Sequence, residues 1–123
     1  MEKIEVVGRL NKRIIDEFNL NINENQEIFC GQSNREHMKS EHPEDYDKYG
    51  EYIEEIINNP TYIAKHPKKS SIEYIKVYIT DKDEHVLVAV RATGKGKLFA
   101  RTLFVMDPIK VEKYKNKNAL ILY

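Results

Sequence analysis

The stretch 70–106 constrains this chain most, because it reads as three consecutive strands joined by two short polar turns. The predicted strands are 71–80, 85–93 and 97–106, and the turns are Asp81-Lys82-Asp83-Glu84 and Gly94-Lys95-Gly96. Runs of β-branched and aromatic residues bounded by Asp and Gly clusters predict an antiparallel meander, since such side chains suit a pleated surface. Successive side chains then point to opposite faces. Ile75, Val77 and Ile79 share one face of the first strand, and Tyr74, Lys76 and Tyr78 the other. In the second, Val86, Val88 and Val90 oppose Leu87, Ala89 and Arg91; in the third, Phe99 and Arg101 oppose Ala100 and Thr102. One face is apolar. If the register allows, the other gathers Tyr74, Lys76, Arg91 and Arg101, and that cationic, aromatic surface is the predicted functional face.

With 123 residues the chain suits one ordinary core, so a single domain over 1–123 is expected. An apolar share of 41% beside 33% charged residues points to a soluble globular protein. No apolar run approaches the roughly 20 residues that cross a bilayer, and no signal-peptide core opens the sequence, so no membrane partner is expected. Cys30 is alone, which excludes an intrachain disulfide and suits a cytoplasmic location. It has no visible activating neighbour and is expected to be a small buried hydrophobe.

The zero net charge hides an asymmetry. Residues 1–60 carry 7 Lys and Arg against 14 Asp and Glu, a net −7; residues 61–123 carry 13 against 6, a net +7. The basic half contains the meander, so a polyanion could bind there despite the neutral total. Alternatively, the acidic helices face the basic sheet edges and neutralise them within the fold.

Around the meander the elements are short. Ile4 and Val6 alternate in a first strand, 1–7; Leu10, Ile14, Ile15 and Phe18 recur at helical spacing over 9–18. A second short strand is expected at 26–30. Ser33-Asn34-Arg35-Glu36 then fits a capping box at the start of a helix bearing His37 and Met38. Pro43 pushes His42 out of helical backbone space and itself suits the first turn of a new helix, 43–58, which is predicted to be the longest. Residues 61–64 are a brief extended piece and 65–70 a basic loop with His66. Asp107-Pro108 starts a last helix, and 119–123 is an apolar tail that could add a strand.

Histidine is the side chain best suited to proton transfer near neutral pH. His85 and His66 read as surface residues, which leaves His37 and His42 as the pair of interest, either catalytic or a rim histidine and a helix-junction residue. Their gap of five across a proline does not match the His-Glu-x-x-His arrangement of a helical metal site, so no metal and no cofactor are expected. Gly94-Lys95-Gly96 precedes a strand and not a helix, so it is a hairpin turn and not a phosphate loop. What the sheet offers suits phosphodiester cleavage without metal. The 2′-hydroxyl of RNA attacks its own phosphate, His moves protons, and the planar fork of Arg91 or Arg101 holds phosphate oxygens. The Thr102 hydroxyl adds a hydrogen bond where charge develops.

These stretches resemble a known group. The resemblance rests on Val7-Gly8-Arg9-Leu10, on His37-Met38 followed by His42, and on Ile56-Ile57-Asn58-Asn59-Pro60-Thr61-Tyr62-Ile63. It continues through Ser71-Ile72-Glu73-Tyr74, Val88-Ala89-Val90-Arg91 and Ala100-Arg101-Thr102-Leu103-Phe104. The chain is similar to the phage-associated branch of the Barnase–EndoU–ColicinE5/D–RelE-like nucleases over nearly its whole length. That resemblance implies an α+β fold with N-terminal helices packed on a twisted antiparallel sheet of about four strands. It also implies a metal-independent endoribonuclease of the toxin or phage-effector type, with RNA as partner and a neutralising antitoxin or immunity protein as a further candidate. The proton-transfer histidine would fall on His37 or His42, the basic and hydroxyl residues on Arg91, Arg101 and Thr102, and a weaker transfer on Lys76. Tyr74 and Lys76 of the cationic face are the expected substrate contacts, Tyr74 alternatively a packing residue of a Tyr-rich sheet. Strict alternation puts Arg101 and Thr102 on opposite faces, so both line one cleft only through a bulge or at a sheet rim. Two other readings remain open: a catalytically inactive RNA- or protein-binding module with the same fold, and a structural protein whose charge asymmetry drives head-to-tail association.

Overall fold

The computed structural model describes residues 2–123. The chain runs β1 (Ile4–Arg9), α1 (Lys12–Phe18), β2 (Glu27–Gly31), α2 (Gln32–Glu41), α3 (Pro43–Tyr49), one 3-10 turn (Gly50–Tyr52) and α4 (Ile53–Asn58). It continues β3 (Tyr62–Lys65), β4 (Ser71–Ile79), β5 (Asp83–Ala92), β6 (Leu98–Val105), α5 (Pro108–Asn116) and β7 (Ile121–Leu122). The α+β class holds, but the sheet is larger than four strands and is not wholly antiparallel. Seven strands lie in the order β1-β2-β6-β5-β4-β3-β7. The meander supplies the centre; β3 and β7 extend one side, while β1 and β2 extend the other through a short parallel pairing of Ile28 and Phe29 with Leu98 and Phe99. The short segments at the margins become strands because each finds an unpaired backbone edge to satisfy.

The meander closes with turn chemistry written in its sequence. In the β5–β6 turn the Gly96 N–H donates to the Thr93 carbonyl, and the Thr93 hydroxyl accepts from the Lys95 and Lys97 amides. Gly96 has φ +83°, a left-handed conformation that glycine adopts without penalty.

Both faces of this sheet are apolar at their centre, which corrects the expectation of one apolar and one cationic face. On the first face Ile72, Tyr74, Val86, Val88, Val90 and Leu103 meet Met38 of α2 and Ile53, Ile56 and Ile57 of α4. On the second, Ile75, Leu87 and Met106 are covered by Val111 and Tyr114 of α5. A helix therefore flanks the side that the sequence left open. Tyr74 pairs with Val88 and Lys76 with Val86, which puts both on the first face, whereas Arg91 pairs with Ser71 and projects with Leu87 and Ala89 to the second. Tyr74, at 1% exposure, is core, and Lys76 donates its ammonium to the Asn59 carbonyl at 2.8 Å.

Two local expectations also change. The helix 43–58 is interrupted by the 3-10 turn. Helix α2 is capped at Gly31 and not at Ser33: the Asn34 side chain accepts from the Gly31 N–H at 2.8 Å, and the Glu2 carboxylate accepts from the Ser33 N–H. Two of the stretches that carried the family resemblance meet in space, the Asn58 amide donating to the Val7 carbonyl at 3.2 Å. Among the described residues no helix is long and apolar enough to cross a membrane.

Candidate active site

The site begins with an irregularity in β6. Ala89 pairs with Thr102 and the next residue, Val90, pairs with Ala100, so Arg101 is an extra residue in the strand. A bulge of this kind breaks the alternation of side chains. Arg101 and Thr102 consequently line one cavity instead of opposite faces. The cavity, about 150 Å³, lies on the second face of the sheet. Arg91 enters it from β5, Ser71 and Glu73 from β4, Lys110 from α5, and His66 and Lys69 from the loop after β3.

Four permanent cations thus surround one carboxylate. Glu73, 3% exposed, accepts a 2.8 Å hydrogen bond from the Tyr114 hydroxyl. Burial pushes its pKa above the ordinary carboxylate range, although the Tyr114 hydroxyl and the charge of Lys110 pull the other way. The Tyr114 hydroxyl is itself raised, by burial and by its bond to that carboxylate. The Arg101 Nε is buried and has no hydrogen-bond partner in the protein.

His66 is held by its own loop. Its backbone N–H donates to the Ser71 carbonyl, extending the β3–β4 pairing by one residue. Its Nδ1 accepts from the Lys68 and Lys69 amides at 3.1 and 3.0 Å. A ring nitrogen that accepts two N–H groups carries no proton, so the neutral ring bears its hydrogen on Nε2 and can present it as a donor.

The structure therefore brings together three of the residues singled out from the sequence, Arg91, Arg101 and Thr102, and separates the other four from them. Tyr74 and Lys76 lie on the opposite face. His37 is exposed on α2, where its Nε2 pairs with Glu41 one turn on. His42, between α2 and α3, lies against the Phe104 ring, centroids 5.3 Å apart, and does not line the cavity that Phe104 borders. Sequence reasoning gave no role to Glu73, Lys69, Lys110 or Tyr114, and dismissed His66. One signal was present. Glu73 is a carboxylate in the middle of an apolar strand, on the face of Ile75, where a charge is unexpected without a partner.

A family model described as phage-Barnase-EndoU-ColicinE5/D-RelE like nuclease3 matches residues 4–113. The chain belongs to that nuclease family. The matched span takes in every residue lining the cavity. Membership makes a nucleic acid the substrate class of this phage-type nuclease. No curated protein and no solved structure matches the chain.

Proposed function

We propose that this nuclease-family protein is a metal-independent endoribonuclease that breaks RNA by attack of a 2′-hydroxyl on the adjacent phosphate. The observation that supports the reading is the β6 bulge, which adds Arg101 to the cavity that Arg91, Thr102 and the buried Glu73 also line. Arg91 and Arg101 supply forks for the non-bridging phosphate oxygens. Lys69 and Lys110 add charge where the phosphorane gathers it, and the Thr102 hydroxyl donates to the same oxygens. In this reading the positive charge that the transition state needs comes from side chains.

Proton transfer falls to Glu73. A base works best with a pKa drawn toward the working pH, and burial draws Glu73 in that direction. Ionised, it takes the 2′-hydroxyl proton as the new O–P bond forms. The 5′-oxygen leaves with the electrons of the broken P–O bond, stabilised by the His66 Nε2–H and completed by a proton from solvent. The products are a 2′,3′-cyclic phosphate and a 5′-hydroxyl. His37 and His42, the histidines singled out from the sequence, serve as controls in this assignment. The toxin or phage-effector role and its cytoplasmic setting belong to the same reading. A neutralising antitoxin or immunity protein would meet the cavity with carboxylates.

The test is cleavage of a mixed RNA pool, tRNA included, in excess EDTA. Cyclic-phosphate ends are expected, with a matched 2′-deoxy strand left whole. Arg91→Ala and Arg101→Ala should each lower kcat/KM by about 10²–10³-fold, as removal of charge stabilisation does elsewhere. His66→Ala should lower it more than His37→Ala or His42→Ala. RNA that stays intact while bound would reduce the protein to a binding module.

A further inference from the structure

A second cavity, about 590 Å³, adjoins the first along α5, and His66 and Lys110 line both. Tyr114 joins them as well: its hydroxyl holds Glu73 in the first while the residue lines the second. The floor of this groove is apolar, formed with Pro67 and with Ile109, which is 68% exposed. Its rim carries Lys65, Lys113 and Lys117. Among the described residues none of these three lysines is within ion-pair distance of a carboxylate, whereas Lys115 on the same helix pairs with Glu112. An apolar floor beneath unpaired cations suits a ligand with a flat, weakly polar face and anionic ends. The volume falls in the ordinary range for a small-molecule site.

We infer that the α5 groove holds the unpaired nucleotide next to the scissile phosphate, its base on Ile109, Pro67 and the Tyr114 ring and its far phosphate at Lys113 and Lys117. The inference rests on the ribonuclease reading, because the shared His66 and Lys110 wall makes the groove the continuation of the catalytic cavity. It adds two things to that reading. The substrate is single-stranded at the cut, since a base stacked in a duplex cannot lie on the groove floor. Occupancy of the groove also presses on the residue that orients Glu73, so the flanking nucleotide aids turnover as well as binding.

The experiment has a binding arm and a cleavage arm. A labelled 2′-O-methyl hexanucleotide, which lacks the nucleophile, is titrated by fluorescence anisotropy as a single strand and as a duplex. The expected outcome is single-strand binding that weakens at least ten-fold in Lys113→Glu/Lys117→Glu and several-fold in Ile109→Ser, with the duplex bound more weakly than the strand. In the cleavage arm, the kcat/KM advantage of a pentanucleotide over a dinucleotide is expected to shrink about ten-fold in the double variant. Equal binding of single strand and duplex, or variants that bind like the wild type, overturns the groove assignment even if RNA is cut. Failure of the wild type to cut RNA, with strand binding still lost in the variants, overturns the ribonuclease reading and keeps the groove. No binding of the strand by the wild type overturns the groove outright.

Discussion

Glu73 shares its face of β4 with Ile75 and its cavity with Arg91, Arg101 and Lys110. Folding raises its pKa, so the native state favours the neutral carboxyl. The sign follows: this group's contribution to stability is complete below the ordinary Glu range, near pH 4.3, and is lost as the pH rises through the raised value. Glu73→Gln keeps an acceptor for the Tyr114 hydroxyl and removes the charge. At pH 7.5 the variant is expected to be more stable by about 0.5–2 kcal/mol, as when a strained functional group is relieved elsewhere. Urea midpoints at pH 4 and pH 7.5 check this, and the gain should vanish at the lower pH. The same variant should lose about 10²–10⁴-fold in kcat, the usual share of a positioned base. A less stable variant at pH 7.5 would mean that the surrounding cations outweigh burial.

At the scale of elements, most strands were readable because alternation and turn chemistry are local properties. The strand positions 71–80, 85–93 and 97–106 shift by only a residue or two at most ends. What local pattern could not supply was which face each strand turns to a helix, since that depends on where α5 returns. Tyr74 and Arg91 were grouped on the assumption of one open face, and α5 closes it. Arg101 and Thr102 required a defect in pairing that no propensity encodes. His66 looked like a loop residue because it is one; its placement comes from the Ser71 pairing and the amides of Lys68 and Lys69. Gly8 marks another long-range contact, where α4 crosses β1. A Cβ there would stand 2.6 Å from the Ile57 side chain. Gly8→Ala is expected to cost about 1–3 kcal/mol through overpacking, read as a lower thermal midpoint, and Ile57→Ala, which removes the Cγ2 methyl nearest the new Cβ, should cost less in that chain than in the wild type.

Over the whole molecule, the charge imbalance along the chain becomes an imbalance across the sheet. Helices α1, α2 and α4 contribute Ile14, Met38, Ile53, Ile56 and Ile57 to the first core, and Glu36, Glu51, Glu54 and Glu55 remain exposed on that side of the chain. Lys65, Lys69, Lys110 and Lys113 surround the cavities on the other side. The sheet between them keeps the acidic helices from neutralising the basic side. A protein with no net charge is therefore expected to bind a single strand with a clear salt dependence. Engagement of two or three phosphates gives a slope of about −1.4 to −2.1 in log K against log salt. Anisotropy between 50 and 200 mM salt measures it, and a flat line would mean that the lysines do not contact the backbone.

The offset in β6 has a consequence for sequence length. Deleting Arg101 alone would place Thr102 directly after Ala100, opposite Ala89 and Val90, and the ladder would run without interruption. Every side chain that builds either core would keep its orientation, so the shortened chain should fold at least as readily as the parent, with the same circular dichroism, while cutting as poorly as Arg101→Ala. The irregular step contributes nothing that the scaffold needs. One surplus residue brings a second guanidinium to the cavity at no cost to the ladder on either side of it.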